Sequence, residues 1–211
     1  MRQRLAQELL DEDAGTAAEV AASLADLHWI HDHLGGRSSW RRLLAAWPGA
    51  GSLLDVGAGR GQVAAAIGAQ MHAHRIVALD RLPSHLGASG DRVAADAKQL
   101  PFADASFDVV MCNLFLHHFH GAAAVQLLQE MVRVARQAVL INDLERAWVP
   151  YLVIRALSPR FSRLTRYDGA RSVAQAYTAQ ELHALAGARP HRVMRLGHYR
   201  LGLMVWCNRD G

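Results

Sequence analysis

Asp55, Gly57, Gly59 and Gly61 stand at alternate positions in Ser52-Leu53-Leu54-Asp55-Val56-Gly57-Ala58-Gly59-Arg60-Gly61-Gln62. Glycine adopts positive φ and lets a ligand lie against backbone that a side chain would block. The apolar run before Asp55 predicts a buried strand. The alanine-rich stretch after Gly61 predicts a helix, whose first N–H groups lack partners and favour an anionic part of a ligand. The dinucleotide fingerprint G-x-G-x-x-G makes room for a pyrophosphate. Here the third glycine comes one residue early and Gln62 fills the later position, which disfavours a nicotinamide enzyme. The acid before the loop offers little to a dinucleotide; it suits a ligand with a free α-amino group and a sulfonium charge. Asp80 ends a second apolar run roughly 20 residues beyond the turn, where a ribose-binding carboxylate sits in such folds.

A second set of residues could move protons or hold an acceptor. His117 and His118 close a fourth apolar run, and the unperturbed pKa of histidine suits proton transfer near neutral pH. Either could deprotonate a phenol; the competing reading is that one of the pair caps the following helix or bonds to backbone. Asp143 and Glu145 end the fifth run, where a carboxylate could orient the acceptor or a histidine, or belong to a solvated loop. His28 and His31 are three apart and share a helix face. Histidines so spaced can bind a metal, but no third ligand follows at suitable spacing, so a surface or pocket-lining role is favoured and no metal is expected. Tyr151, Arg155, Arg166, Tyr167 and Asp168 could clamp an aromatic or anionic acceptor, while Trp148 and Phe161 read as packing residues.

These groups need a sheet to hold them. The apolar runs 52–55 and 75–80, each ending in an acid, residues 93–97 with Asp96, and residues 106–118 read as four strands, and residues 138–143 as a fifth. Residues 3–34 have helical composition, with helix spacing over 17–34, ended by Gly35-Gly36. A second helix over 39–47 is stopped by Pro48-Gly49, and another spans 122–136. Residues 145–177 break the alternation; an insertion after a fifth strand lies at the carboxyl edge of the sheet, where ligands bind, and reads as a lid. Thr178 to Glu181 has the signature of a capping box. Residues 190–197 and 199–208 read as a closing hairpin.

Taken in series, "LLDVGAGRGQ", "VALD", "AADAKQLPFADASFDVV" and "NLFLHHF" resemble the class I S-adenosylmethionine-dependent methyltransferases. The resemblance implies an α/β fold: a Rossmann-like, doubly wound, mostly parallel seven-stranded sheet with an antiparallel last strand, N-terminal helices and a lid insertion. It implies a single domain over 1–211, with a helical cap at 1–48, the cofactor half at 50–145, the lid at 146–177 and a C-terminal helix and strands at 178–211. Asp55 and the loop of Gly57, Ala58, Gly59 and Gly61 would hold the methionine end of S-adenosylmethionine, with S-adenosylhomocysteine as product. Asp80, beside Arg81, would bind the ribose hydroxyls. Asp96 and Ala97 would meet the adenine, and Asn113 with Leu114 would begin the floor of the transfer site. More weakly, "NDLERAWVPYLVIRALSPRFSRLTRYDGARSVAQAYT" is similar to small bacterial methyltransferases beside polyketide or quinone pathways. That similarity implies a phenolic or quinone-like small molecule, methylated on oxygen or carbon, without the metal-binding acid cluster of the catechol type.

Composition agrees with an enzyme domain. The chain has 211 residues, 51% of them hydrophobic, enough for one α/β core. No run approaches the roughly 20 apolar residues of a membrane span, and the first residues lack a signal-peptide core. Cys112 and Cys207 lie in apolar runs and read as buried free thiols. The expectation is a cytoplasmic protein without a membrane partner. The net charge of +4 and pI of about 9.6 raise a nucleic-acid reading, with Arg155, Arg160, Arg163, Arg166 and Arg171 as the densest stretch. No aromatic-interleaved stripe accompanies it, so a solvated basic surface is favoured. A methyltransferase for RNA or protein, and a cofactor-binding protein without activity, remain the alternatives.

Overall fold

A computed structural model describes residues 1–6, 8–10, 14–47, 51–88 and 90–207. Its seven-stranded sheet has the order β3-β2-β1-β4-β5-β7-β6. The strands are β1 (Ser52–Val56), β2 (Arg75–Asp80), β3 (Asp91–Ala94), β4 (Phe107–Asn113), β5 (Ala135–Leu144), β6 (His191–Gly197) and β7 (Arg200–Trp206). Pairs among the first five are parallel, while β7 runs antiparallel to both β5 and β6. The expected closing hairpin and single reversed strand are both present. From β1 the chain steps outward to β2 and β3, then crosses back to β4 on the other side of β1. That reversal opens a crevice at the carboxyl ends of β1 and β4, the place where open α/β sheets bind ligands.

Buried strands explain the continuous apolar runs. In β1, Leu53 and Leu54 point to opposite faces. Leu53 packs with Trp40, Leu43, Ala64, Ile67, Val109 and Leu140, the layer that α2 (Gly36–Ala45) and α3 (Gln62–Gln70) cover. Leu54 packs with Val110, Leu127, Leu128, Val139 and Leu203, beneath α4 (Ala122–Val134) and α7 (Ala179–Ala186).

The remaining helices, α1 (Ala17–His33), α5 (Trp148–Leu157) and α6 (Arg163–Gln175), stand over the carboxyl edge, with α6 touching both α1 and α5. Among the described residues of the 3–34 stretch, helix begins at Ala17. Thr16 accepts from the Glu19 N–H at 3.3 Å while Glu19 Oε2 accepts from the Thr16 N–H at 2.9 Å, a reciprocal cap that fixes the start. The same box opens α7 at Thr178, as expected. Gly35, with φ +87°, ends α1 and starts α2 three residues earlier than the spacing predicts; the proposed stop at Pro48-Gly49 and the last strand residue, Asn208, lie outside the described residues. The run to His118 divides: β4 stops at Asn113 and Leu116–His118 form a 3-10 turn. Cys112 and Cys207 are buried thiols. Among the described residues, no helix is long and apolar enough to cross a membrane.

Candidate active site

A cavity of about 750 Å³ opens along the carboxyl ends of the strands, between the glycine loop on one side and α1, α5 and α6 on the other. At its β1–β2 end, Gly57, Ala58, Gly59, Asp80, Arg81, Asp96, Ala97, Asn113 and Leu114 form the wall. Asp55 and Gly61 lie behind it. Gly57, Gly59 and Gly61 all have positive φ. A Cβ on Gly57 would fall 2.3 Å from the Phe115 ring, whereas one on Gly59 would meet only Leu24 Cδ2, at 3.8 Å. The first glycine is therefore required by packing, and the second leaves backbone bare to the cavity.

The acids of this half are held in distinct states. Asp80 Oδ2 accepts from the Gly59 N–H at 3.0 Å and Oδ1 from the Leu82 N–H at 3.1 Å. It thereby ties the glycine loop to the loop after β2, with buried His85 Nδ1 3.7 Å from Oδ1. Asp55 is buried and its Oδ1 has no hydrogen-bond partner. Burial, with the nearby charge of Asp80, pushes its carboxyl up to about 8. Asp96 caps its own turn by accepting from the Lys98 N–H. Asn113 Oδ1 accepts from Trp40 Nε1 at 2.8 Å and from Asn142 Nδ2 at 3.0 Å, so three elements fix the side chain. Leu114 follows with φ +53°, a strained setting for a γ-branched residue at a ligand-facing bend. An orphaned buried carboxylate behind a bare glycine cradle, with a fixed ribose-type acid beside it, fits the methionine and sugar ends of S-adenosylmethionine.

The other half contains a histidine on a carboxylate. His117 is buried, and its Nδ1 donates to Asp143 Oδ1 at 2.6 Å. The His117 and Leu144 backbone N–H groups fill the same carboxylate, at 2.9 and 2.7 Å. Burial alone would raise the Asp143 carboxyl, but His117 and these hydrogen bonds hold it below the usual carboxylate range. With Nδ1 committed, His117 Nε2 faces Glu8 Oε1 at 3.9 Å, and His118 Nδ1 lies 3.9 Å from Glu8 Oε2. Glu8 has no counterpart in the sequence reading. It arrives because Asp168 accepts from the Leu9 and Leu10 N–H groups, at 2.9 and 3.1 Å, while Ser172 and Gln175 donate to Glu8 Oε1. Glu8, His117 and His118 offer three potential metal-ligand atoms within 4.8 Å of one another.

His28 and His31 both line the cavity from α1. His31 is buried with Nδ1 unpartnered; burial, followed by the charge of Arg200, lowers it to about 4. The lid residues require a correction. α5 turns Pro150, Val153 and Ile154 to the cavity, and α6 turns Thr165, Asp168, Gly169, Ser172 and Val173. Tyr151, Arg155, Arg166 and Tyr167 lie off the wall. Residues three and four apart share a helix face, so the inward stripes leave Arg155 and Tyr167 rotated away, while Tyr151 and Arg166 border the stripes and stay outside the wall. They pair locally instead: Arg155 donates to the Tyr151 hydroxyl at 3.4 Å, Arg166 donates to the Phe161 carbonyl, and the Arg171 guanidinium sits 3.4 Å over the Tyr167 ring. Phe161 packs inside as expected, but Trp148 is 58% exposed. Arg200, absent from the sequence reading, stands on the cavity wall with only 2% of its surface exposed.

Comparison with known proteins finds similarity to methyltransferases. Residues 54–141 match the family model described as "Methyltransferase domain". Over 134 residues the chain is 35% identical to a demethylmenaquinone methyltransferase of Roseiflexus sp. (strain RS-1), covering 58% of this chain and 56% of that protein. It is 30% identical over 171 residues to an uncharacterized methyltransferase of Mycobacterium sp. (strain JLS), covering 79% of this chain and 60% of the other. The chain thus spans less than two thirds of the length of these relatives. Among solved structures, the plantazolicin methyltransferase BpumL, in complex with a pentazolic desmethylPZN analog and SAH, superimposes with a TM-score of 0.65 at 14% identity, over 95% of this chain and 97% of that one.

Proposed function

We propose that the chain is a class I S-adenosylmethionine-dependent methyltransferase that moves a methyl group to a small-molecule acceptor, at a phenolic or quinone-like oxygen or a neighbouring carbon. The methyltransferase-domain match over residues 54–141 and the methyltransferase relatives support the reading. The observation that carries the reading is one cavity holding both the bare glycine cradle and the His117–Asp143 pair. S-adenosylmethionine, when bound, supplies a sulfonium methyl already activated for in-line displacement. Gly57, Ala58 and Gly59, backed by Asp55 and Gly61, hold the amino-acid end; Asp80, with Arg81 beside it, holds the ribose; Asp96 and Ala97 meet the adenine. Asn113 and Leu114 bound the place where the methyl lies.

The work left to the protein is to align the acceptor, exclude water and take its proton. Asp143 fixes the His117 ring with Nδ1–H donated, so Nε2 is the basic nitrogen on the cavity side. That nitrogen accepts the phenolic proton, and the buried Asp143 carboxylate stabilises the imidazolium that results. His118 and Glu8 shape the same end. The apolar stripe of Pro150, Val153 and Ile154 covers the acceptor. The quinone-type relative is compatible with such a substrate.

The test is to incubate the protein with S-adenosylmethionine and a panel of hydroquinones and phenols, reading the methylated product by mass spectrometry. Turnover of S-adenosylmethionine with no panel member would count against this acceptor class, and absence of S-adenosylhomocysteine binding against the activity itself. A polymeric acceptor has less support, since Arg155, Arg166 and Arg171 have partners on their own helices or the adjoining turn; salt-sensitive RNA binding would revive it. Glu8, His117 and His118 support a second reading, a divalent cation beside the acceptor oxygen, with Asp143 orienting His117 from behind. Activity that survives a chelator would dismiss it.

A further inference from the structure

Arg200 is the buried group that the transfer chemistry leaves unused. Its side chain is 2% exposed and forms part of the cavity wall, Nη1 has no hydrogen-bond partner, and Nε reaches only the Leu34 carbonyl, at 3.4 Å. Buried charges are ordinarily paired. The acid whose field acts on this guanidinium is Asp143, and the Asp143 oxygens are taken by His117 and Leu144. Asp32, on the neighbouring helix, is gripped by Arg37 through two contacts of 2.8 Å. Beside Arg200, His31 presents a second buried nitrogen without a partner, Nδ1. The backbone enforces the placement: His198 and Tyr199 turn β6 into β7 at φ +49° and +54°, and both line the cavity immediately before Arg200.

We propose that Arg200 and His31 form the subsite for an anionic group of the acceptor, a carboxylate or an acidic phenol ionised at neutral pH. The inference rests on the methyltransferase reading and deepens it. Arg200 pairs in register with Leu144 at the end of β5, next to Asp143, on a strand three beyond β1 in the sheet. It therefore lies at the acceptor end, away from Asp80 and the glycine loop. A guanidinium presents forked donors that match a carboxylate. A neutral His31 lines the same wall beside it.

The test uses protein saturated with S-adenosylhomocysteine and titrated calorimetrically with 3,4-dihydroxybenzoate, its methyl ester and 4-nitrocatechol. At least one of the two anions is expected to bind tenfold or more tightly than the ester. Which of them does so tells a carboxylate from an ionised phenol. Arg200→Met should abolish the preference, Arg200→Lys should keep part of it, and S-adenosylhomocysteine affinity should stay within about twofold in both. Should Arg200→Met fail to fold, His31→Gln and Arg200→Lys report the same loss in part. Equal binding of all three compounds, or binding of none, overturns the proposal. So does a preference that survives Arg200→Met, or a tenfold loss of S-adenosylhomocysteine affinity in that variant, which would assign the guanidinium to the cofactor's own carboxylate. A wild-type protein that does not bind S-adenosylhomocysteine at all sinks the underlying reading with it.

Discussion

Asp143 is buried, and its oxygens accept from His117 and from the Leu144 N–H at its own strand end, so its function is to set one ring and one tautomer. Asp143→Asn keeps the shape but removes the charge that stabilises an imidazolium. The expected result is a fall in kcat of about 10²–10⁴-fold, with the affinity for S-adenosylhomocysteine unchanged and the pH–rate profile displaced. A variant that loses cofactor affinity in parallel would show a merely structural acid. Asp55 makes a different kind of prediction. Its carboxyl titrates near 8 because it is buried beside Asp80, so the free protein carries it protonated at neutral pH. A cation seated on the glycine loop favours the ionised form. Cofactor uptake at pH 7 should therefore release a proton, and affinity should rise with pH toward 8. Calorimetry in two buffers of different ionisation enthalpy reads the released proton directly; identical heats in both would contradict the coupling, and Asp55→Asn should remove it.

The loop between β1 and α3 assigns two glycines two tasks. At Gly57 (φ +73°) a methyl group would strike the Phe115 ring at 2.3 Å; at Gly59 (φ +51°) it would point into the open cradle. Gly57→Ala should destabilise the fold by about 1–3 kcal/mol, from overpacking joined to left-handed strain. Gly59→Ala should lose less stability, yet weaken cofactor binding at least tenfold. Melting curves and S-adenosylhomocysteine titrations of the two variants separate these effects, and equal behaviour would show that the cradle is not where the ligand lies. This loop was legible in the sequence because glycine spacing and an apolar run are local signals. The order of strands was legible for the same reason. The lid was not: Tyr151, Arg155, Arg166 and Tyr167 have the chemistry of an acceptor clamp, but helix periodicity, fixed by packing on α1 and the sheet edge, turns Val153, Ile154 and Ser172 inward instead. Glu8 and Arg200 were invisible for another reason. Each is brought to the site by contacts distant in sequence, with α6 and with β5, and no local pattern announces such a contact. The Thr16–Glu19 cap, in contrast, carries the same signature that located α7 and was available to place the start of α1.

Across the whole molecule, the buried ionisable groups oppose one another, and that opposition sets how stability depends on pH. His31 is lowered to about 4 from an ordinary 6.5. Between those values the unfolded chain holds a proton that the folded one lacks, so stability rises with pH through that window. Asp55 is raised from 3.8 to about 8. Between those values the folded chain holds the extra proton, so stability falls as pH rises. The two slopes cancel from about pH 4 to 6.5, and only the Asp55 slope remains from 6.5 to 8. At about 1.4 kcal/mol per pH unit for one proton, the ligand-free protein should lose about 2 kcal/mol across that upper window, a drop in Tm of roughly 4–8 °C for a chain of this size. Thermal melts at pH 5, 6.5 and 8 test this directly. His120, also held below its ordinary value by burial, adds to the His31 slope, so Tm should be level or rise over the first interval and fall over the second. Asp55→Asn should flatten the second interval and steepen the rise over the first, where the histidine slopes are left unopposed. Saturating S-adenosylmethionine should flatten the second interval as well, since the charge over the loop lowers the Asp55 carboxyl in the folded state and brings its proton uptake closer to that of the unfolded chain. A melt that falls equally with the ligand present would separate Asp55 from the cofactor and leave its buried, unpartnered oxygen without a cation to serve.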